Sequence, residues 1–495
     1  MCAHRPGRRK APTAGRPRLR QAKVGVEGMP VTSPSGQHER PPEGAGGPVP
    51  LAEATRAWFA ISLQTFGGPA GQIAVMQHAL VDERRWIGQK RCLHALSFCT
   101  LLPGPEAQQL AIYIGWLLNG TLGGLIAGVL FVLPGVLALL GLSALYVAAG
   151  DTTVVTAVLA AVAPAVLVIV AQAVVRVGGR ALGHPALVAV AVAAFVALSV
   201  FKTPFPIVVG IAAATGWALG RWAPQTMHSQ VPHADASEGR RPLISDDQLH
   251  AERPSRTHAL KVIGVGLVAW AVPVGAVVAL AGGDSIFADM ALFFTGAALI
   301  TFGGAYAVLA YVAQKAVQYY GWLTPSEMIT GLALAETTPG PLIMVVQFVA
   351  FVGAYHDPGS LNPWVAAVAA SLLTTWVTIV PCFVFVFVGA PYVERLRGNQ
   401  SLSAALTGIM AAVVGVIANL AIYFAIHTLF RDVKDVTWGP VQLQVPEPGS
   451  LKPLSLAVAA FAALLLFRAR WSVLRTLGAC ALVGLVIGLV QALAT

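Results

Sequence analysis

Charge is what this sequence has least of. Only 11% of its 495 residues are Asp, Glu, Lys or Arg, against 56% hydrophobic residues, and the mean hydropathy is +0.71. A water-soluble fold cannot hide that much apolar surface, so lipid must be the solvent for most of the chain. Cysteine is scarce too. Cys2, Cys92, Cys99, Cys382 and Cys480 form no CxxC pair, and the eleven histidines show no metal-ligand spacing with one another or with cysteine. Neither a structural metal nor a disulfide framework is expected. No Ser-His-Asp, metal-ligand or phosphate-transfer constellation falls in the apolar stretches, which argues against a membrane-embedded enzyme and implies no cofactor. A secretory signal is missing as well, because the basic N-terminal stretch is not followed by a short apolar run and a small-residue cleavage site.

The charge that is present is concentrated. Arg5, Arg8, Arg9, Lys10, Arg16, Arg18, Arg20 and Lys23 face a single acid, Glu27, so the first 28 residues hold +7 of the net +10. Residues 1–53 read as a disordered cytoplasmic arm rather than a nucleic-acid-binding element. Met29 is an alternative first residue.

Thirteen apolar runs are candidates to cross a hydrocarbon core of about 30 Å, which takes roughly 20 helical residues. They are Ala54–Met76, Leu93–Leu118, Leu122–Ala148, Thr153–Val175, Pro185–Phe201, Phe205–Trp222, Ala259–Ala281, Ile286–Ala313, Glu327–Ala354, Pro363–Gly389, Leu402–Leu429, Leu454–Phe467 and Ser472–Ala494. Ala223–Thr257, rich in Pro, His, Ser and charge, reads as a flexible linker. The expected division is a tail over residues 1–53, a membrane domain over 54–222, a cytoplasmic linker over 223–257 and a second membrane domain over 258–495. The fold class is an all-α integral membrane protein of about 13 transmembrane helices.

The two domains are repeats. Thr65-Phe66-Gly67-Gly68 returns as Thr301-Phe302-Gly303-Gly304, Trp86 as Trp322, and Pro103-Gly104-Pro105 as Pro339-Gly340-Pro341, all at an offset of 236 residues. Pro134 matches Pro381 and Gln172 matches Asn419 at 247, the difference falling in the loop near His356–Asn362. The Phe-Gly-Gly segment lies in candidate span 1 and again in span 8. An odd number of crossings separates them, so the copies face opposite ways. Lysine and arginine mostly favour a cytoplasmic N-terminus, which puts the linker, Arg176, Arg180, Arg395, Arg397, Arg468 and Arg470 inside. Arg84, Arg85, Lys90 and Arg91 disagree, so the first segment is re-entrant or that basic stretch folds into the protein.

Within apolar spans, glycine and proline break helices. A Gly-Gly pair, as in Phe66-Gly67-Gly68-Pro69-Ala70-Gly71, persists at membrane depth only inside protein or beside water. Pro-Gly-Pro stops one helix and starts another, leaving N–H groups and a positive dipole end at depth, where an anion can bind. The candidate binding set is therefore Thr65, Gly67, Gly68, Pro103, Gly104, Pro105, Thr301, Gly303, Gly304, Thr337, Thr338, Pro339, Gly340 and Pro341, with Thr100 a further nearby hydroxyl.

Intramembrane polar residues flank these breaks. Glu106, Gln108 and Gln109 follow the first Pro-Gly-Pro and Glu336 precedes the second, and such buried carboxylates are candidates for coupling or gating. Glu106 at a helix start is equally read as a cap for free N–H groups. Gln172 and Asn419 suit an interhelical hydrogen bond or a ligand contact. Arg84, Arg85, Lys90 and Arg91 either attract an anion toward a cavity mouth or orient an interfacial helix with Trp86. The ladder Gly120, Gly124, Gly128 reads as tight helix packing.

Phe66-Gly67-Gly68-Pro69-Ala70-Gly71-Gln72, Glu83-Arg84-Arg85-Trp86, Leu102-Pro103-Gly104-Pro105-Glu106-Ala107-Gln108-Gln109 and Tyr113-Ile114-Gly115-Trp116 resemble the first-domain signature of the chromate ion transporter family. The second half is similar to its partner domain through Phe302-Gly303-Gly304-Ala305-Tyr306, Gly321-Trp322-Leu323, Ala335-Glu336-Thr337-Thr338-Pro339-Gly340-Pro341 and Gln347-Phe348. The likeness runs from about residue 54 to 430 and matches the long-chain, two-domain type. It implies export of chromate across a bacterial inner membrane, driven by the proton motive force, with sulfate as competitor and chromate resistance as the outcome. An anion channel, or a transporter for another oxyanion such as sulfate, is the alternative.

Overall fold

The computed structural model describes residues 49–66, 68–150, 152–223, 243, 255–302, 305–392, 399–439 and 441–494, all within one compact unit, Gly46–Thr495. The basic tail up to residue 48, most of the expected linker, and Gly67, Gly303 and Gly304 lie outside the described residues.

The first half contains α1 (Leu51–Ser62), α2 (Gly68–Gln77), α3 (Gln89–Cys99), α4 (Glu106–Ala149), α5 (Thr153–Ala181), α6 (Pro185–Ser199) and α7 (Phe205–Trp222). A long helix α8 (Arg256–Ala281) follows. The second half contains α9 (Ile286–Leu299), α10 (Ala305–Gln314), α11 (Pro325–Thr337), α12 (Val345–His356), α13 (Pro363–Gly389) and α14 (Gln400–Leu429). A two-stranded hairpin and the helices α15 (Pro453–Ala463) and α16 (Val473–Ala494) complete it. Among the described residues six helices are long and apolar enough to cross a membrane, Glu106–Ala149, Thr153–Ala181, Arg256–Ala281, Pro363–Tyr392, Gln400–Leu429 and Val473–Leu493. This is a multi-pass membrane protein.

The runs that contain Phe-Gly-Gly or Pro-Gly-Pro are each divided at the break. At 1.5 Å per residue, the 12 residues of α1 span roughly 18 Å, less than a hydrocarbon core. At the Pro-Gly-Pro breaks, Gly104 and Gly340 carry the left-handed backbone, φ 126° and 99°, that suits glycine alone. Helix α4 is not a straight rod either. Asn119 and Gly120 leave helical geometry, Gly120 with φ 63°, and the chain doubles back on itself. A Cβ on Gly115 would lie 2.6 Å from Ala127 Cβ, and one on Gly128 would lie 2.5 Å from Ile112 Cγ1. Gly124 and Gly128 do serve close packing, as their spacing predicts. Gly120 does not: it is the turn.

The halves correspond element by element. At an offset of 236 residues, Gln89, which opens α3, falls on Pro325, which opens α11. Helices α2 and α10 each run on into a π-helical turn, closing at Glu83 and Tyr319, again 236 apart. At 247, α5 falls on α14. At 268, Phe205 at the start of α7 falls on Val473 at the start of α16.

The partners are exchanged between halves. Helix α14 packs along α6 and α7 of the first half, and α5 packs along α15 and α16 of the second. Small residues allow it: a Cβ on Gly216 would lie 2.7 Å from Gly408 Cα, and one on Gly484 would lie 2.8 Å from Ala161 Cβ. These are matching positions in the two halves.

The hairpin, β1 (Val433–Trp438) and β2 (Val441–Pro446), is the departure from an all-helical reading. Its strands pair antiparallel, with Trp438 opposite Val441 and Gly439 at φ 60° in the turn. The first half joins the matching helices α5 and α6 by three residues, 182–184, with no such element.

Candidate functional site

The four helix breaks meet in crossed pairs. Gly104 N–H donates to the carbonyl of Thr301 at 2.7 Å, and Gly340 N–H donates to the carbonyl of Thr65 at 3.0 Å and its Oγ1 at 3.2 Å. Since 104 and 340, like 65 and 301, are 236 apart, these are one contact made twice. Each Pro-Gly-Pro also touches a long helix of the other half. A Cβ on Gly104 would lie 2.9 Å from Cys382 Sγ, and one on Gly340 would lie 3.6 Å from Gly135 Cα. Gly135 and Cys382 are matching positions at 247. Thus the N–H groups of the two Pro-Gly-Pro glycines are engaged by protein, whereas the expectation of free N–H groups concerns the helix starts that follow them.

The threonines are also engaged. Thr65, Thr301, Thr337 and Thr338 donate their hydroxyl hydrogens to carbonyls three or four residues back, those of Ser62, Ala297, Leu334 and Ala335, at 2.6–3.0 Å. Thr100 does the same to Ser97. A bound anion would meet these groups as donors only after they rotate. Pro103, Pro105, Pro339 and Pro341 have no N–H to offer and serve to fix the breaks.

Some matching positions of the two halves differ in polarity. Tyr306 donates to Glu336 Oε1 at 2.6 Å, whereas the matching first-half residues are Ala70 and Thr100. A Cβ on Gly68 would lie 3.7 Å from this Tyr306 hydroxyl, so the first Phe-Gly-Gly break abuts the second half's Tyr-Glu pair. Gln72 donates to the Gly340 carbonyl, where the second half has Val308. Glu336 is buried, and its Oε2 is without a partner.

At the start of α4, Gln109 donates to the Pro103 carbonyl at 2.6 Å and braces the break from within. Gln108 is fully buried with neither amide atom hydrogen-bonded. Each such orphaned group costs about 1–3 kcal/mol, a cost that a bound water or polar ligand would remove. The first N–H groups of α4 have no acceptor inside the helix, the N-cap residue Pro105 supplies no side-chain cap, and no side-chain acceptor for them is seen among the described residues. The capping role considered for Glu106 is therefore not seen. Instead Glu106 lies within electrostatic reach of Arg180, and Glu336 within reach of Arg176.

Those two arginines escape the sequence reading. The apolar run ends at Val175, so both look like loop residues, yet α5 continues to Ala181 and presents them one turn apart. Arg176 also donates to Gln172 Oε1 at 3.1 Å. A Gln-x-x-x-Arg-x-x-x-Arg spacing beyond an apolar run was the available signal.

The basic quartet is split. Arg84 lies over Trp86 at 5.7 Å and donates to the Ala79 carbonyl and weakly to Glu83. Arg85 and Lys90 are exposed and Arg91 is buried. Nearby, Asp82 and Glu83 both contact His78, at 3.5 and 3.3 Å, so the stretch is mixed in sign. In the second half Tyr320 stacks on Trp322 at 4.2 Å where Arg84 covers Trp86, and Gly321, with φ 66°, stands where Arg85 has φ 53°. Among the described residues no three His, Cys, Asp or Glu side chains are grouped to hold a metal ion.

The model of the chromate transporter family matches two stretches, residues 52–217 and 288–485, whose starts are again 236 apart. The chain belongs to the chromate transporter family. This transporter is 29% identical over 398 residues to a chromate transport protein of Pseudomonas aeruginosa, covering 78% of this chain and 83% of that one. It is 26% identical over 388 residues to a probable chromate transport protein of Synechococcus elongatus, covering 77% and 86%. A chromate transport protein of Cupriavidus metallidurans is 25% identical over 360 residues, covering 73% and 79%. No solved structure matches.

Proposed function

We propose that this protein is a secondary transporter that exports chromate, a compact tetrahedral dianion, across the inner membrane in exchange for protons, and so confers chromate resistance. Family membership and the named activity of its relatives support the substrate. One observation carries the mechanism: crossed breaks, Gly104 with Thr301 and Gly340 with Thr65, beside the unpaired buried amide of Gln108. Broken helices meeting at a two-fold relation are the arrangement in which one half rocks against the other around a fixed site.

In this reading about 13 membrane segments form two inverted repeats, and the two-fold axis lies in the membrane plane. Domains span 54–222 and 258–495, with a cytoplasmic tail and linker. The anion sits among the break residues, including Gly67, Gly68, Gly303 and Gly304, held by the N-terminal N–H groups of α4 and by Gln108. Arg176 and Arg180 offset its charge against Glu106 and Glu336, which carry the coupled proton. Arg84, Arg85, Lys90 and Arg91 draw it toward the cavity.

Chromate flux by purified protein in liposomes, with and without a pH gradient, tests this reading. Flux that follows the gradient and is inhibited by sulfate supports it. No movement of chromate under either condition would sink it, and flux indifferent to the gradient would remove the proton.

A further inference from the structure

Away from the breaks lies a cavity of about 230 Å³ between the two halves. Its walls come from the ends of α6, α10 and α14, the loop 200–204, and strand β2. Much of its polar lining is uncommitted. Lys202, Asn419, Gln314, Gln318 and Gln444 face it, and Lys202 forms no ion pair within 4 Å among the described residues. The backbone N–H of Gln442 in the hairpin donates to the carbonyl of Val200 at 2.8 Å, which fastens the hairpin beside the cavity and onto the loop that carries Lys202. That loop is sharply turned: Lys202 has φ 50°, and Thr203 N–H reaches back to the Ala197 carbonyl at 2.9 Å.

Repeat symmetry gives the cavity a meaning. Asn419 and Tyr423 stand on α14 where Gln172 and Arg176 stand on α5, both pairs 247 apart. In the first half the cation beside the amide is on the helix itself. In the second half Tyr423 replaces it, and Lys202 from the opposite half supplies the positive charge at that place.

We propose that this cavity is a second anion site, a vestibule for a small oxyanion dianion on its way to or from the breaks, with Lys202 as counter-charge and Asn419, Gln314 and Gln318 as neutral donors. The transport reading supplies only the identity of the anion. Partial burial lowers the Lys202 pKa, opposed by the nearby Asp435 carboxylate. A cation held in that condition gains from an anionic partner.

The test uses the full chain in lipid nanodiscs for equilibrium binding of labelled sulfate and chromate, and in liposomes for initial chromate flux. Lys202→Gln should raise the half-saturating anion concentration about fivefold or more, with Lys202→Arg close to the wild type. Gln318 is exposed and tolerates exchange, so Gln318→Glu should raise that concentration and Gln318→Lys should lower it. Half-saturation insensitive to charge at both positions overturns the vestibule. If Lys202→Gln does not fold, the Gln318 pair decides alone. Wild-type protein that binds sulfate in this charge-dependent way but moves no chromate would keep the vestibule and remove the transport reading.

Discussion

Tyr306 donates its phenolic hydrogen to Glu336 across 2.6 Å, tying together the two breaks of the second half, while the first half has Ala70 and Thr100 at those places. An interlocked pair of repeats is thus made chemically unequal at this contact.

Tyr306→Phe should reduce chromate flux strongly, because it leaves the buried Glu336 carboxylate without its donor, and Glu336→Gln should do so by removing the charge, since its amide oxygen can still accept from Tyr306. If the two residues act as a unit, the double variant will be no worse than the more damaged single one. The flux coupling energy in a double-mutant cycle should fall in the range of about 0.5–3 kcal/mol typical of contacting residues. Additive losses would mean the hydrogen bond has no role of its own.

Gly104→Ala should be more damaging than Gly340→Ala. Both force a side chain into left-handed backbone, a cost of roughly 1–2 kcal/mol. At Gly104 a Cβ would also strike Gln109 Nε2 at 2.7 Å and Cys382 Sγ at 2.9 Å, whereas at Gly340 the nearest atom is 3.6 Å away. Thermal unfolding in detergent should rank them so, and an equal Tm for the two would contradict the crowding argument.

Glu106→Gln should still bind chromate but lose the pH dependence of flux, while Glu336→Gln should weaken or abolish transport. The two carboxylates lie on different sides of their breaks, and different arginines bear on them electrostatically, Arg180 and Arg176, neither as an ion pair within 4 Å among the described residues. Flux against pH for both variants checks this. A wild-type profile for Glu106→Gln moves the coupling residue elsewhere.

Anion affinity should decline on the alkaline side at lower pH than an ordinary lysine would dictate. Lys202 has a lowered pKa, so as pH rises through that value its positive charge, and the attraction it provides, is lost early. Binding of sulfate against pH should show the decline in wild type and not in Lys202→Arg, whose guanidinium stays charged. An unchanged decline in that variant would assign the titration to another group.

Removing residues 1–28 should leave chromate flux unchanged at equal expression, since this stretch has no apolar periodicity with which to join the membrane fold. Lost flux would give the basic arm a task.

Much of the membrane architecture was legible. Phe205–Trp222 and Pro363–Gly389 come out to the residue, because Pro at or near the first position and an end to apolarity are strong boundary signals. The repeat offset placed the breaks. What periodicity could not reveal is who pairs with whom. Nothing in Thr65 or Gly340 alone says that the hydrogen bond crosses between halves. Arg176 and Arg180 were missed because a helix can continue past the point where its apolar run ends. The hairpin was missed because Val433–Trp438 and Val441–Pro446 are short alternating strands that a search for long apolar runs passes over.

The exchange of partners between α5 and α14 bears on how the chain is made. While only the first half has left the ribosome, α5 has neither α15 nor α16 to lie against, and the Thr65 carbonyl has no glycine N–H to accept. The first half by itself leaves these faces without their protein partners until the second half is inserted. Chains separated within residues 224–254 should therefore yield transport when made together and none when made alone. Quality control in the cell meets this protein as an unclosed clasp, open to proteolysis until its last two helices are inserted.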